Sequence, residues 1–567
     1  MQQIFLGADM PLPMQSLTPV TTRSLAHAQV LWLADGAISE ADALAHAVCV
    51  PDPDAPAGSL REGDMTAYAD RYGGPGVGHS GGSGRCAVLN GIQVKGVGRT
   101  PLVTSKVDAF HSNGMLGFEE AMREAIWSEV AQLALPIGSV RTLALIDTGS
   151  TFQVTAADGA PEILQRFLLL RQFALRPAHY FRNVNFATPL HADTGLREDA
   201  VRTSLAVQTL PQVYRHLFPA CAGAHDTVGV LNIGLLEVAT RFAFQNATAM
   251  VKRIFHGSLS PSNIAMDGRY IDFGTITPVA TFRRRAIRPL GTDASDEKTM
   301  LLNAVLELRF FIAKYTKLPA DAKLIGQEEL AAGYDSAYKR AQQLEFLKLA
   351  GVCESTVMNF PPEKAERFRQ CAVAITLHRN MPFLTWAGAW GPQEPRIRRG
   401  TFDIGYLLTT LALSYDLARI RTKIEQEIGE LSMAAEFADL YADLRILYLA
   451  QAPAGADARQ RTLELALNAL RRNADLNFLE DHPLSVAIDA LSQARSGIGS
   501  YVGTTLEHAA EILSDKYDTP GLIRDALAES GPRPSAASIL GKLLPRTRET
   551  FSAEIIGEWE TMWNTVH

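Results

Sequence analysis

Apolar residues recur through residues 117–135, GFEEAMREAIWSEVAQLAL, at Phe118, Met122, Ile126, Val130 and Leu133. That spacing predicts a helix with one apolar stripe. Its face carries the small residues Gly117, Ala121, Ser128 and Ala131, which permit close approach to a sheet. Just upstream, in NGIQVKGVG, Ile92 and Val94 alternate with Gln93 and Lys95, the period of a strand. RTLALID and RFLLLRQFAL predict further strands. From about residue 200 the pattern turns helical: DTVGVLNIGLLEVATRFAFQNATAMVKRIF is mostly helix, and residues 404–451 keep helical periodicity with few breakers.

Between the helical stretches lies HGSLSPSNIAMDGRYIDFGT, residues 256–275. Asp267-Gly268 between Ile264-Ala265-Met266 and Arg269-Tyr270-Ile271 predicts a two-residue type I′ hairpin. With that tip, Met266 opposes Arg269, Ile264 opposes Ile271, and Asn263 opposes Asp272. Side chains paired in this way stand about 4.5–5.5 Å apart at Cβ. An amide oxygen and a carboxylate at that separation suit a hard cation such as Mg²⁺; the competing reading is a surface hairpin with a polar pair at its mouth.

Composition changes this picture little. The chain has 567 residues, 47% hydrophobic and 20% charged, enough for several domains. A net charge of −7 excludes a generic nucleic-acid binder. No apolar run reaches 18 residues, so no membrane-spanning helix is expected. The first residues carry no secretory pattern. The five cysteines are scattered and form no CxxC pair, so neither a zinc site nor a disulfide framework is expected, and a reducing cytoplasm is the default.

Residues 73–98 hold ten glycines, the strongest compositional break. This segment and its neighbours supply, in order, a glycine turn (Gly82, Gly84, Arg85), a strand lysine (Lys95), a helix glutamate (Glu124), and then HG…N and DFG. Protein kinases use this layout to hold ATP and Mg²⁺. Gly78-His79-Ser80-Gly81-Gly82 fits G-x-S-x-G, but that motif needs a strand before it and a helix after, and here it lies in a glycine-saturated loop. No G-x-x-x-x-G-K-[ST] occurs. His256 is expected to bond backbone.

Three segments, GSGRCAVLNGIQVKGVGRTP, MREAIWSEVAQLALPIGSVRTLAL and HGSLSPSNIAMDGRYIDFGT, resemble the selenoprotein O (SelO, YdiU) family of pseudokinases over roughly residues 66–280. The resemblance implies an α+β, protein-kinase-like bilobal fold: an N-terminal extension at 1–60, a strand-rich lobe at 61–190, a helical lobe carrying the metal-binding hairpin at 191–320, and a helical region at 321–567. It implies transfer of AMP from ATP to a protein or peptide acceptor, with Mg²⁺ or Mn²⁺. It further implies that Gly82, Gly84, Arg85 and Lys95 meet nucleotide, that Lys95 pairs with Glu124, and that Asn263 and Asp272 hold the metal. Two arginines directed at phosphates follow from it, Arg171 and Arg176, with Arg182 a third candidate.

The departures are specific. The family carries Thr-Asp-Asn before the hairpin, with the Asp as base; here Pro261-Ser262-Asn263 puts Ser262 in that place, and a serine does not serve as a base near neutral pH. The family's C-terminal selenocysteine or cysteine is absent from the closing TMWNTVH. A carboxylate nucleophile needs no base, so adenylation of a peptide acid is an alternative, in line with a similarity to SelO-like proteins of the MchC kind in siderophore-microcin maturation. The helical extension could then hold a peptide or a partner protein. A nucleotide-binding scaffold without turnover is the other alternative. MPFLTWAGAWGPQEP (381–395) is a candidate substrate loop or a buried turn.

Overall fold

The computed structural model describes residues 3–5, 11–52, 58–104, 113–155, 159–188, 194–278, 296–378, 404–414, 416–451, 458–494, 497–529 and 535–566. The loop 381–395 lies outside them. The class is α+β: one eight-stranded antiparallel sheet and a largely helical remainder. In chain order the strands are β1 (Leu17–Ser24), β2 (Gln29–Leu33), β3 (Val48–Cys49), β4 (Met65–Asp70), β5 (Cys86–Leu89), β6 (Ile92–Lys95), β7 (Thr142–Thr155) and β8 (Pro161–Gln172). Their order across the sheet is β2-β7-β8-β6-β5-β4-β1-β3. Strands from the first 60 residues therefore complete both edges of the sheet that holds Lys95.

Two strands turn on Asn90-Gly91, with Leu89 paired to Ile92. Asn90 at φ 47° and Gly91 at φ 83° give the left-handed pair that a two-residue hairpin needs. Strand β6 pairs on its other side with β8, which sets Gln93 opposite Arg171 and Lys95 opposite Leu169. A register shift between Leu170 and Arg171 marks a bulge beside that arginine.

The helix expected over 117–135 is α1 (Phe118–Ala134). Glu119 and Glu120 sit in its first turn, where the helix dipole favours acids, and Pro136 follows its end. Met122, Ile126 and Val130 are fully buried, each burial contributing roughly 1.5–3 kcal/mol. The opposite face is covered too. Helices later in the chain, Asp481–Ala494 and Ile498–Leu513, pack on α1, and Ser485 accepts a hydrogen bond from Arg123 and donates one to Glu119. Glu124, at 1% exposure, lies on the sheet side of α1, against Lys95 and Arg171.

The helix α2 (Thr227–Val251) starts at Asp226, whose carboxylate caps Gly229 N at 2.7 Å. By length and composition it could cross a membrane, alone among the described residues. Here it packs through Leu231, Leu235, Val238 and Phe242 in the core shared with α1. The segment 404–451 divides into Ile404–Leu413, Leu417–Ile428 and Ala434–Ala450. Asp416 caps the second of these by accepting from Arg419 N.

The expected two-residue hairpin at Asp267-Gly268 is corrected by one residue. Ile264 bridges Tyr270, not Ile271. Ala265 N donates to Arg269 O at 2.8 Å and Gly268 N to Ala265 O at 2.9 Å, with Gly268 at φ 97°. This is the three-residue loop with glycine at the bulge. Asn263 consequently faces Ile271, whose N–H donates to Asn263 O, and Asp272 falls one residue beyond the pairing, at φ 71°. The register follows neighbours that a local reading does not contain: Val140 N donates to Tyr270 O, Tyr270 N to Gly138 O, and Met266 N to Leu175 O.

Candidate functional site

Three segments meet at the Lys95 ammonium. Strand β6 carries it inward to 1% exposure. Asp272 Oδ1 accepts from it at 2.9 Å, Glu120 Oε1 lies at 2.9 Å, and Glu124 Oε1 is in direct contact. Three carboxylates thus surround one ammonium, two of them accepting hydrogen bonds from it and the third as an ion pair. Their oxygens lie within 4.8 Å of one another.

Glu120 also forms a bidentate pair with Arg85, Nη1 to Oε2 at 2.9 Å and Nη2 to Oε1. Sequence reasoning passed over Glu120. The signal that could have found it is its spacing: four residues before Glu124, it lies on the same helix face. Arg171 donates through Nε to Gln93 Oε1 at 2.8 Å and lies 3.4 Å from Glu124 Oε2.

Burial raises the Glu124 carboxyl to about 7 against the pull of Lys95, with Asp272 adding to the rise. Burial acts on Asp272 and Glu120 in the same sense, but cations outweigh it. Lys95 and Arg171 hold Asp272 well below the usual carboxylate range, and Arg85 and Lys95 do the same for Glu120. Lys95 is lowered by burial and by Arg85, yet its three carboxylates leave it above its ordinary value.

Behind this knot lies a second buried layer. Asp70 accepts from Ser83 Oγ at 2.5 Å and from Gln93 Nε2 at 3.0 Å, and its other oxygen is 3.0 Å from His179 Nε2. His179 Nδ1 accepts from Arg176 N at 2.9 Å, which leaves the proton on Nε2 for Asp70. Burial lowers the His179 pKa, in keeping with a neutral ring. Gln93 Oε1 is shared by Arg171 and by Arg176 Nη2 at 3.3 Å, while Arg176 Nη1 donates to Ser262 O at 2.9 Å. Arg176 therefore ties the sheet to the 256–275 segment. Arg182 takes no part; its carbonyl accepts from Gly74 N.

Packing of the turn itself requires glycine at both positions expected to meet nucleotide. A Cβ on Gly82, at φ 138°, would fall 2.3 Å from Asp70 O, and one on Gly84 would fall 2.8 Å from the Val103 side chain. The G-x-S-x-G segment is loop, with neither a strand before it nor a helix after.

Ser262 is buried, its hydroxyl 2.8 Å from Ser260 Oγ and 3.4 Å from Asn263 Oδ1. Asn263 Nδ2 donates to Ser258 O at 2.8 Å. Among the described residues the Asn263 amide bonds to Ser258 and Ser262, whereas Asp272 bonds to Lys95. His256 Nε2 meets Ile271 O at 3.1 Å, the backbone bond expected of it. Glu297, another residue the sequence did not single out, accepts from Gly257 N at 2.9 Å and from Asn246 Nδ2 at 3.3 Å. Burial pushes its carboxyl up to about 8.

Glu120, Glu124 and Asp272 are hard oxygen donors and fit a cation such as Mg²⁺ by chemistry. Lys95 now sits among them, so binding would require it to share or yield those oxygens. No protein-family model matches the chain, and no curated protein matches it. The functional reading therefore rests on the chemistry of these residues.

Proposed function

We propose that the protein is an ATP- and Mg²⁺-dependent nucleotidyltransferase on a kinase-like, two-lobed scaffold, moving AMP from ATP to a protein or peptide acceptor. The observation that carries this reading is the meeting of Lys95, Glu124 and Asp272, from a strand, a helix and a post-hairpin segment, at one buried point. A strand lysine fixed by a helix glutamate and set against a DFG aspartate is the arrangement that places phosphates and their metal in phosphoryl-transfer enzymes. Bound there, Mg²⁺ or Mn²⁺ would be held by Asp272, with Asn263 or the α1 glutamates as further ligands, and would neutralise phosphate charge. Lys95, Arg85 and Arg171 supply the fixed positive charges; Gln93 holds Arg171 in line, and Asp70 in turn holds Gln93. The reading places the protein in the cytoplasm, where all five cysteines remain thiols as they are here.

A second reading is favoured by Ser262. Its hydroxyl is bonded to Ser260 and Asn263, and among the described residues no carboxylate bonds to it. A nucleophile that arrives ionised, such as a peptide carboxylate, suits that site better than a hydroxyl that must lose a proton. One experiment separates the possibilities: incubation with ATP labelled at the α- or γ-phosphate, with candidate acceptors. Pyrophosphate release with α-label stable on protein hydroxyls supports AMP transfer to Ser, Thr or Tyr. A hydroxylamine-sensitive adduct supports carboxylate adenylation. ADP as product refutes both. Metal-dependent ATP binding without pyrophosphate release selects a binding scaffold.

A further inference from the structure

Resting on the nucleotide reading above, we propose that Glu120 is an internal stand-in for phosphate: its carboxylate occupies Arg85 and Lys95 in the free protein, and a polyphosphate ligand must displace it. An arginine fork that holds a carboxylate through two parallel bonds presents the geometry it offers a phosphate. Arg85 makes such a fork with Glu120, and the same carboxylate reaches Lys95.

Exposure shows which part of the knot a ligand meets. The side chains of Lys95 and Glu124 are 1% exposed, while Glu120 is 32% and Arg85 14%. Glu124 is buried at 1% exposure and is also held by Arg171, so it is not the group that leaves. Glu120 can leave. Its helix begins at Phe118, only two residues earlier, and the residue beyond it toward the hairpin is Gly274, where even an added Cβ would stand 4.0 Å away. The Arg85 main chain does not need to move, because its carbonyl accepts from Gly96 N at 2.9 Å and from Val97 N. Only side chains rotate.

Charge then sets a requirement. Arg85, Lys95 and Arg171 face Glu120, Glu124 and Asp272, so the knot is close to neutral and offers little net attraction to a multiply charged anion. A divalent cation neutralises the released Glu120 together with Asp272 and restores that attraction. Glu120 thereby makes anion binding depend on metal.

The test is calorimetric titration of the full chain and its Glu120→Gln variant, with three probes: inorganic tripolyphosphate without metal, ATP without metal, and ATP with Mg²⁺. Glu120→Gln is expected to tighten both metal-free anions by roughly ten-fold and to shrink the gain that Mg²⁺ gives ATP. Glu120→Asp, which keeps the charge, should stay near the unmodified protein. Glu120→Ala serves as a second charge-removing variant should the glutamine protein not fold. Unchanged or weaker metal-free binding in a folded variant overturns the proposal, even where ATP with Mg²⁺ binds and the nucleotide reading stands. A gain with tripolyphosphate while ATP binds in no form keeps the stand-in role and refutes the nucleotide. No binding of any probe to either protein refutes both.

Discussion

Two tight turns bring the site together, and they are built differently. The Asn90-Gly91 hairpin delivers Lys95; the Asp267-Gly268 hairpin delivers Asp272. The first lies inside an eight-stranded sheet, where four consecutive pairs with β5 and four with β8 fix its register. The second has one bridge of its own and takes its register from outside, through Gly138, Val140 and Leu175. A dipeptide that favours one turn type locally adopted the other because neighbouring chain supplied the hydrogen bonds. The one-residue shift moved Asp272 off the ladder into a left-handed conformation that costs about 1 kcal/mol. There it reaches Lys95, and Asn263 turns to Ser258.

The largest effect should come from cutting the link between the two turns. Asp272→Ala is expected to abolish metal-dependent nucleotide binding, read by thermal shift with ATP and Mg²⁺; retained binding would remove Asp272 from the site. Lys95→Met leaves Glu124 buried beside like charges and should lower stability by about 3 kcal/mol in urea denaturation. Next comes the contrast between the turn glycines. Gly268→Ala meets Ile137 at 2.8 Å and Arg241 at 3.1 Å as well as a positive φ, and should cost about 2–3 kcal/mol. Gly91→Ala faces the backbone term and should cost about 1 kcal/mol. Equal costs would mean that the second turn relaxes more easily than its packing implies.

A pH series sharpens the comparison further, because Glu297 holds the start of the segment that carries the second turn, through Gly257 N and Asn246. Its carboxyl, raised by burial from an ordinary 4.5 to about 8, binds a proton in the folded state that the unfolded chain has lost. The Glu297 contribution is therefore complete below pH 4.5 and is lost as pH rises toward 8. Glu297→Gln should flatten the decline in melting temperature across that window, while the same protein at pH 4.5 should melt close to the parent. The smallest effect is expected at Ser262→Ala. With its hydroxyl bonded to Ser260 and no base in contact among the described residues, nucleotide binding should stay within about two-fold, the change worth under 0.5 kcal/mol.

Periodicity and turn chemistry are local, and the sequence carried them. The apolar positions of α1, the alternation of β6, the start of α2 at Asp226 and the existence of a turn at Asp267-Gly268 were all legible from neighbouring residues. So were Lys95, Glu124 and Asp272 as candidates, through their order along the chain. The burial of Gln93 and Lys95 was less visible. An alternating strand reads as half-solvated, and here its polar face turns toward α1 and the arginines, not toward water.

What the tertiary structure alone decided is the charge arithmetic of the site and the register of the second hairpin. Glu120 looks like one more first-turn acid until the sheet brings Arg85 and Lys95 against it. Lys95 and Asp272 are 177 residues apart in sequence and 2.9 Å apart in space. The reason is physical: a turn or a helical stripe is fixed by torsions and spacings within a few residues, whereas an ion pair's partners, exposure and protonation depend on every segment that excludes water from it, including helices that begin beyond residue 480.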